Sequence, residues 1–394
     1  MSSTFMKLLI TARDPATAVS FERLIPTLMS DDRFTIRVLC QPPACQIFAP
    51  LVEAYASAAK PLTLVEMPAD EFTQVIEDDF LRNQFTGFAP DAVLTGISGP
   101  DTGVDEAVLH YAREHGIDSY ALQSFWGDMN QASGAIPDTA FVLDDEAMRI
   151  TQRRYPQVES IAIGSIKHID YQYYDPISAR ASHRPNLVDF SNEKNTGNEP
   201  VVLGFYGQPI LEIPGYFATI EALTRQLSKW QRPFKLMYRP HPKESDELRH
   251  KTLSLFQEAF GEDVFLDNFN DIKDSLVVCD LVLSAFSTCG FDNLYLNEMA
   301  PEAFNSSVYL WFEPELIAWW QEYSHLQEMP LISEDLLLSV DKEEQMLEVF
   351  EQGLTQPVQQ RLWRQAKAHL PSASESINIL VSKIWSDFCS KQDR

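Results

Sequence analysis

The feature that most constrains this chain is an alternation, run through twice, of short apolar stretches with longer amphipathic ones. In the first series Lys7–Ala12, Phe34–Cys40, Leu62–Glu66, Asp91–Gly96, Tyr120–Gln123, Phe141–Leu143 and Ser160–Ile163 have the length and apolar content of strands. Ala16–Met29, Glu71–Phe85 and Val104–His115 have helical spacing, the last with Gly116 at its C-terminal stop. Strands separated by helices imply a parallel sheet with right-handed crossovers.

The periodicity fails between about Tyr171 and Pro200, where a polar run rich in Asn, Pro and Gly reads as a linker. A second series follows. It opens with V-V-L-G-F-Y-G-Q-P, Val201–Pro209; further strands are expected at Lys235–Tyr238, Val264–Leu266, Leu281–Leu283, Val308–Trp311 and Leu331–Ser333, and helices at Tyr216–Trp230, Glu244–Phe260 and Ser287–Met299. From Asp341 onward the chain reads as helical, interrupted at Pro371, and it ends in an amphipathic helix around Ile377–Phe388. The expected division is a domain over 1–170, a linker over 171–199, a second domain over 200–370 and a C-terminal helix over 371–394. The fold class is α/β: two Rossmann-like domains facing across a cleft, with C-terminal helices. That organisation resembles the layout called GT-B. In open α/β sheets ligands bind beyond the carboxyl ends of the strands, so functional residues are sought just after strands.

Composition narrows the classes. A chain of 394 residues with 45% hydrophobic residues can bury two cores of common size. A net charge of -26 argues against a nucleic-acid partner, which needs a dense basic face. No apolar run is long enough for a transmembrane segment. Leu8–Ile10 runs into Thr11, Arg13 and Asp14 and reads as a first strand, not a signal peptide, so a cytoplasmic location is expected. Five scattered cysteines without a C-x-x-C pair fit a reduced compartment, with Cys40 and Cys279 as small core residues.

Against that acidic background one basic group stands out: K-L-M-Y-R-P-H-P-K-E, Lys235–Glu244. An apolar strand runs into Arg239, His241 and Lys243, and Pro240 and Pro242 fix the backbone between them. Such a turn can aim three donors at a phosphate; a plain strand-to-helix turn is the alternative. In D-L-V-L-S-A-F-S-T, Asp280–Thr288, a buried strand ends at Ser284, and Ser287 and Thr288 open a helix. Helix-start amides and hydroxyls favour an anion, although N-capping would use the same Ser287. Gln208, after the strand at Val201, is a candidate contact to the base or sugar of a donor.

Together these segments resemble the H-P and Ser-Ser/Thr motifs of bacterial polysialyltransferases. They are also similar to the R-x-H-P and Ser/Thr-rich segments of CDP-glycerol glycerophosphotransferases. The resemblance covers the second domain only. It implies that His241 contacts the donor phosphate and that Ser287 and Thr288 contact it from the adjacent helix. A looser likeness to the non-hydrolysing UDP-N-acetylglucosamine 2-epimerases, which share the layout, stays open.

In the first domain T-A-R-D-P-A-T-A, Thr11–Ala18, lacks the G-x-G-x-x-G spacing of a dinucleotide loop, so Arg13 and Asp14 are placed as acceptor contacts, with Asp14 as a helix cap the alternative. The loop T-G-I-S-G-P-D-T-G-V-D-E, Thr95–Glu106, offers carboxylates for a general base: Asp101 first and Glu106 second, with Asp105 as a first-turn residue favoured by the helix dipole. Trp126 and Asp128 follow the fifth strand and are placed as acceptor contacts, the indole stacking on a sugar or packing the domain.

The expected activity is glycosyl transfer from a CMP- or UDP-linked donor to a glycan or other acceptor, with Asp101, Glu106 and His241 as catalytic candidates. No cofactor is expected beyond the nucleotide-sugar substrate. No metal is expected either, since the Asp pairs at 78–79 and 144–145 are adjacent residues that point to different faces of an extended chain. A UDP-sugar epimerase or hydrolase, and a non-catalytic binding protein, are the alternatives.

Overall fold

The computed structural model describes residues 5–67, 78–99, 101–187 and 199–392. The chain divides into two compact units, Met1–Asp170 with His369–Arg394, and Tyr171–Ala368.

The first unit runs β1 (Met6–Ala12), α1 (Pro15–Ser30), β2 (Phe34–Cys40), α2 (Cys45–Tyr55), β3 (Thr63–Glu66), α3 (Asp78–Phe88), β4 (Ala92–Thr95), α4 (Val104–Glu114), β5 (Asp118–Leu122), β6 (Thr139–Val142), α5 (Asp145–Arg154) and β7 (Glu159–Ala162). The helix expected over Glu71–Phe85 begins outside the described residues. All seven strands pair in parallel, in the order β3-β2-β1-β4-β5-β6-β7. Alternation along β1 builds two cores: Leu8 and Ile10 face one helical layer, and Leu9 faces the other with Val93, Val104 and Val108.

The second unit continues with α6 (Pro176–His183), β8 (Val201–Tyr206), α7 (Tyr216–Leu227), β9 (Phe234–Arg239), α8 (Asp246–Phe260), β10 (Val264–Leu266), α9 (Ile272–Val278), β11 (Leu281–Ser284), α10 (Cys289–Met299), β12 (Ser306–Tyr309), α11 (Pro314–Ser324), α12 (Pro330–Ser333), β13 (Leu338–Ser339), α13 (Met346–Gly353) and α14 (Gln356–His369). Its six parallel strands take the order β10-β9-β8-β11-β12-β13. Every residue of β8 and β11 is buried, which explains their near-continuous apolar sequences.

Several expectations change. The last helix, α15 (Ala373–Gln392), does not stand apart. Ile377, Leu380, Val381, Ile384 and Phe388, spaced by three and four, share one core with Phe21, Leu24 and Ile25 of α1. Tyr120 Oη also donates to Asp387 at 2.8 Å, so α15 belongs to the first unit. The described part of the 171–199 segment is ordered on the second unit: α6 lies against α9, and Arg180 and Arg184 both pair with Asp280.

Leu331–Ser333 is helical because Pro330 opens a turn there, and the strand lies further on at Leu338–Ser339. Cys40 and Cys45 are paired as a disulfide with Cα atoms 5.3 Å apart, which corrects the reading of Cys40 as a small core residue and of the five cysteines as a reduced set. The Gln-Pro-Pro-Ala connection folds β2 back onto α2 and brings the two cysteines together. Among the described residues no helix is long and apolar enough to cross a membrane.

Candidate functional site

In each sheet the chain lays three strands outward in one direction, returns to the middle, and then builds the other way. The reversal falls between β1 and β4 in the first unit and between β8 and β11 in the second. Loops leaving such neighbouring strands part to either side and open a crevice, the usual ligand position of an open α/β sheet. Of the residues picked from sequence, Arg13, Asp14, Asp101, Gln208, Ser284, Ser287 and Thr288 end or follow the strands of these reversals, whereas the H-P turn follows the adjacent β9, and Trp126 and Asp128 follow the adjacent β5.

In the second unit Gln208 is buried after β8, and its Oε1 accepts the Phe286 amide after β11 at 3.0 Å, while its own amide donates to Tyr216 Oη at 2.7 Å. Gln208 therefore braces the crevice rather than offering its carbonyl to a ligand. Ser284 Oγ accepts the Ser287 amide at 3.0 Å, and Ser287 Oγ accepts the Cys289 amide at 3.3 Å. These two amides of the helix start, expected to await an anion, are thus satisfied from within. Thr288 is exposed at the N-cap, and its hydroxyl makes no capping bond.

The H-P turn brings Arg239, His241 and Lys243 to the end of β9 in different ways. Arg239 Nη1 donates to Asp267 at 2.6 Å and to the Phe269 carbonyl at 3.0 Å, and the Asp267 side chain is fully buried. Arg239 thus anchors the β9 end to the β10 loop, with a quarter of its side chain still exposed. Lys243 is exposed. His241 is half-buried, and its Nδ1 accepts the Lys243 amide N–H at 3.0 Å. Since Nδ1 is the acceptor, the neutral ring carries its proton on Nε2 and is a donor there. Burial, with the Lys243 charge beside it, holds His241 below the usual histidine range and so keeps the ring neutral.

Glu244 is a residue that the sequence reading missed. Tyr238 Oη donates to its Oε1, and the His241 amide donates to its Oε2 at 2.8 Å. Burial pushes the carboxyl above its ordinary value, against those two hydrogen bonds. The available signal was its place three residues after His241, the spacing at which a carboxylate reaches back to a turn amide.

In the first unit Asp105 is fully buried and joins the two loops at the reversal. Its carboxylate accepts from Thr11 Oγ1 at 2.5 Å, the Gly96 amide at 3.1 Å and the Arg13 amide at 3.2 Å. It stands in the first turn of α4 as expected, and there it also clamps the two loops. Glu106 is 1% exposed and holds the amides of Ser98 and Gly103 at 3.1 and 2.9 Å. Burial and the Asp105 charge push it up to about 7, but a carboxyl so enclosed shapes the loop and is withdrawn as a base.

Arg13 donates to the carbonyls of Gly99 and Asp101 at 3.4 and 3.3 Å, so it braces the β4 loop rather than reaching for an acceptor. Asn130 Nδ2 adds a second bond to the Asp101 carbonyl at 2.9 Å, and the Asp101 side chain is exposed. Asp14 caps α1, accepting the Ala16 amide at 3.2 Å. Trp126 is 4% exposed, and its indole N–H is bonded to Asp144 at 2.9 Å; the ring packs the domain and leaves no face for a sugar. Asp128 keeps contact with solvent on the same loop, and buried Gln123 fixes its carbonyl at 2.9 Å. The desolvation of its surroundings, with Asp14 adding repulsion and Arg154 opposing, pushes Asp128 up to about 6.

No protein-family model and no curated protein matches the sequence. Solved structures do match, along almost the whole chain. A UDP-N-acetylglucosamine 2-epimerase assigned as such in Listeria monocytogenes superposes with a TM-score of 0.64 at 12% identity, covering 98% of this chain and 97% of that one. The fold is GT-B. The UDP-GlcNAc 2-epimerase of Neisseria meningitidis, bound to UDP-GlcNAc, gives 0.60 at 12% identity over 97% of this GT-B chain and 100% of its own. Anabaena HepE, in complex with UDP and glucose, gives 0.57 at 11% identity over 97% and 100%. At such identities the likeness is one of fold, and both epimerases and glycosyltransferases share it.

Proposed function

We propose that this GT-B chain is a glycosyltransferase that moves a sugar from a nucleotide-activated donor, CMP- or UDP-linked, to a hydroxyl of a glycan or other acceptor. The observation that carries the reading is the Lys243 N–H to His241 Nδ1 bond, which leaves a neutral ring with its Nε2–H as a donor at the carboxyl end of β9. A neutral donor in a half-buried turn that also carries the exposed Lys243, with exposed Thr288 at the start of α10, suits the phosphate of a nucleotide-sugar. The anomeric C–O bond to that phosphate breaks, its electron pair stays on the phosphate oxygen, and the acceptor oxygen bonds the anomeric carbon. The acceptor proton passes to a carboxylate base, for which Asp101 and Asp128, solvent-facing on the braced β4 and β5 loops, are the candidates. His241, Lys243 and the exposed part of Arg239 would carry the leaving charge, so the scheme calls for neither a metal nor a cofactor. A cytoplasmic location, where nucleotide-sugars are used, suits this reading.

The resemblance of the H-P segment to polysialyltransferases and CDP-glycerol glycerophosphotransferases supports a cytidine nucleotide. The fold neighbours that bind UDP or UDP-GlcNAc support a uridine one, and with it the second reading, a UDP-sugar epimerase or hydrolase. Calorimetric titration of CMP, CDP, UDP and GDP into the wild type and into His241→Ala tests the donor site. One nucleotide should bind, and the substitution should weaken it by roughly 1–3 kcal/mol. Binding by none of the four overturns the reading, and product formed from the donor alone, without acceptor, moves it to the epimerase or hydrolase.

A further inference from the structure

A strand, a turn and a loop of the second unit meet at Glu244. From the β9 strand Tyr238 Oη donates to Oε1, and from the H-P turn the His241 amide donates to Oε2 at 2.8 Å. From the β8 loop Gly207 lies so close that a Cβ there would stand 2.4 Å from Oε2. Gly207 is itself tied to the turn, its amide donating to the Arg239 carbonyl at 2.9 Å. The turn closes on the same residue, because the Glu244 amide donates to the His241 carbonyl at 2.8 Å. Main-chain and side-chain groups of Glu244 therefore hold both polar groups of the His241 backbone.

We propose that Glu244 is a positioning residue for the phosphate contact: its carboxylate ties the H-P turn to Tyr238 of β9 and packs against Gly207, so that Lys243 N–H stays on His241 Nδ1 and Nε2–H is left to the ligand. The ligand half of this proposal rests on the nucleotide-sugar reading. The positioning half stands on the free protein. A carboxylate that merely stabilised the turn would lower the unfolding midpoint when removed and leave the imidazole as it is. A positioning residue changes the ring's tautomer balance as well.

The test uses the full chain with 15N-labelled histidine, as wild type, Glu244→Gln, Glu244→Ala and Tyr238→Phe, with His241→Ala to assign the ring signal. The wild type should show the Nε2–H tautomer alone. Glu244→Ala should give a mixture of tautomers and at least about a tenfold loss of UDP or CMP affinity. Glu244→Gln keeps an oxygen for the His241 amide and should restore the single tautomer, with affinity within about threefold of wild type. Tyr238→Phe removes one anchor of the carboxylate and gives an intermediate ring spectrum even if Glu244→Ala does not fold. An unchanged ring spectrum in folded Glu244→Ala, or an unchanged affinity, overturns the proposal. A wild type that binds neither nucleotide overturns the nucleotide reading and the ligand half with it, while the ring spectra still decide the positioning half.

Discussion

Gln208 Oε1 accepts the Phe286 amide at 3.0 Å, and this one bond joins the loops on either side of the strand reversal in the second sheet. Removing it strands a main-chain N–H. Gln208→Ala should cost about 1–3 kcal/mol of stability and weaken nucleotide binding, whereas Gln208→Glu, which keeps an acceptor, should cost less. Urea unfolding of both variants, beside calorimetry, checks the ranking.

The first sheet has a matching constraint at Gly103. A Cβ there would stand 2.5 Å from Arg13 Cδ and 2.6 Å from its Nη1. Gly103→Ala should displace Arg13 from the Gly99 and Asp101 carbonyls and loosen the β4 loop. Hydrogen exchange of the segment 96–103 should rise in Gly103→Ala and in Arg13→Ala alike; protection equal to wild type would show that Arg13 does not brace the loop.

Glu106 makes stability depend on pH in a stated direction. Its carboxyl is raised to about 7 in the fold, so the folded state holds a proton that the unfolded chain has released above its ordinary carboxylate value. The contribution is full below about 4.3 and is lost as pH rises through about 7. Buried Asp105 is raised too, and acts in the same sense. Glu106→Gln keeps one acceptor for the loop amides and no longer titrates, so its stability relative to wild type should rise by about 1 kcal/mol or more between pH 4 and pH 8. Thermal unfolding at both pH values decides it.

Asp128 makes a prediction about rate. If it takes the acceptor proton it must be ionised, so turnover should fall as pH drops below about 6. Asp128→Asn should reduce kcat by about a hundredfold or more and leave nucleotide affinity unchanged. Asp14→Asn, which still caps α1, removes a neighbouring negative charge and should move the acid limb to lower pH. An Asp128→Asn variant with wild-type turnover would pass the assignment to Asp101, whose Asn variant belongs in the same series.

The sheets were readable because buried parallel strands write themselves as apolar runs, as in Val201–Tyr206, and because two prolines mark the turn around His241. The supports of the site were not. Asp105 meets Thr11 across 94 residues, and Gln208 meets Phe286 across 78, so no local pattern announces either bond. Arg13 and Trp126 were misread for a related reason. A cation or an indole after a strand looks open to a ligand until neighbouring loops show what covers it, here the carbonyls of Gly99 and Asp101 and the carboxylate of Asp144. An amphipathic terminal helix can dock on any apolar face, and only the packing of Ile377 and Ile384 assigns α15 to the first core.

That assignment bears on how the chain is made. The second unit is one continuous segment, Tyr171–Ala368, inserted into a first unit assembled from the segments before and after it. During synthesis the ribosome delivers the whole insert before α15 emerges, although domains commonly complete in N-to-C order. The core of the first unit is therefore closed only once α15 has followed the insert, because Ile377, Ile384 and Phe388 fill the same core as Phe21 and Leu24 of α1.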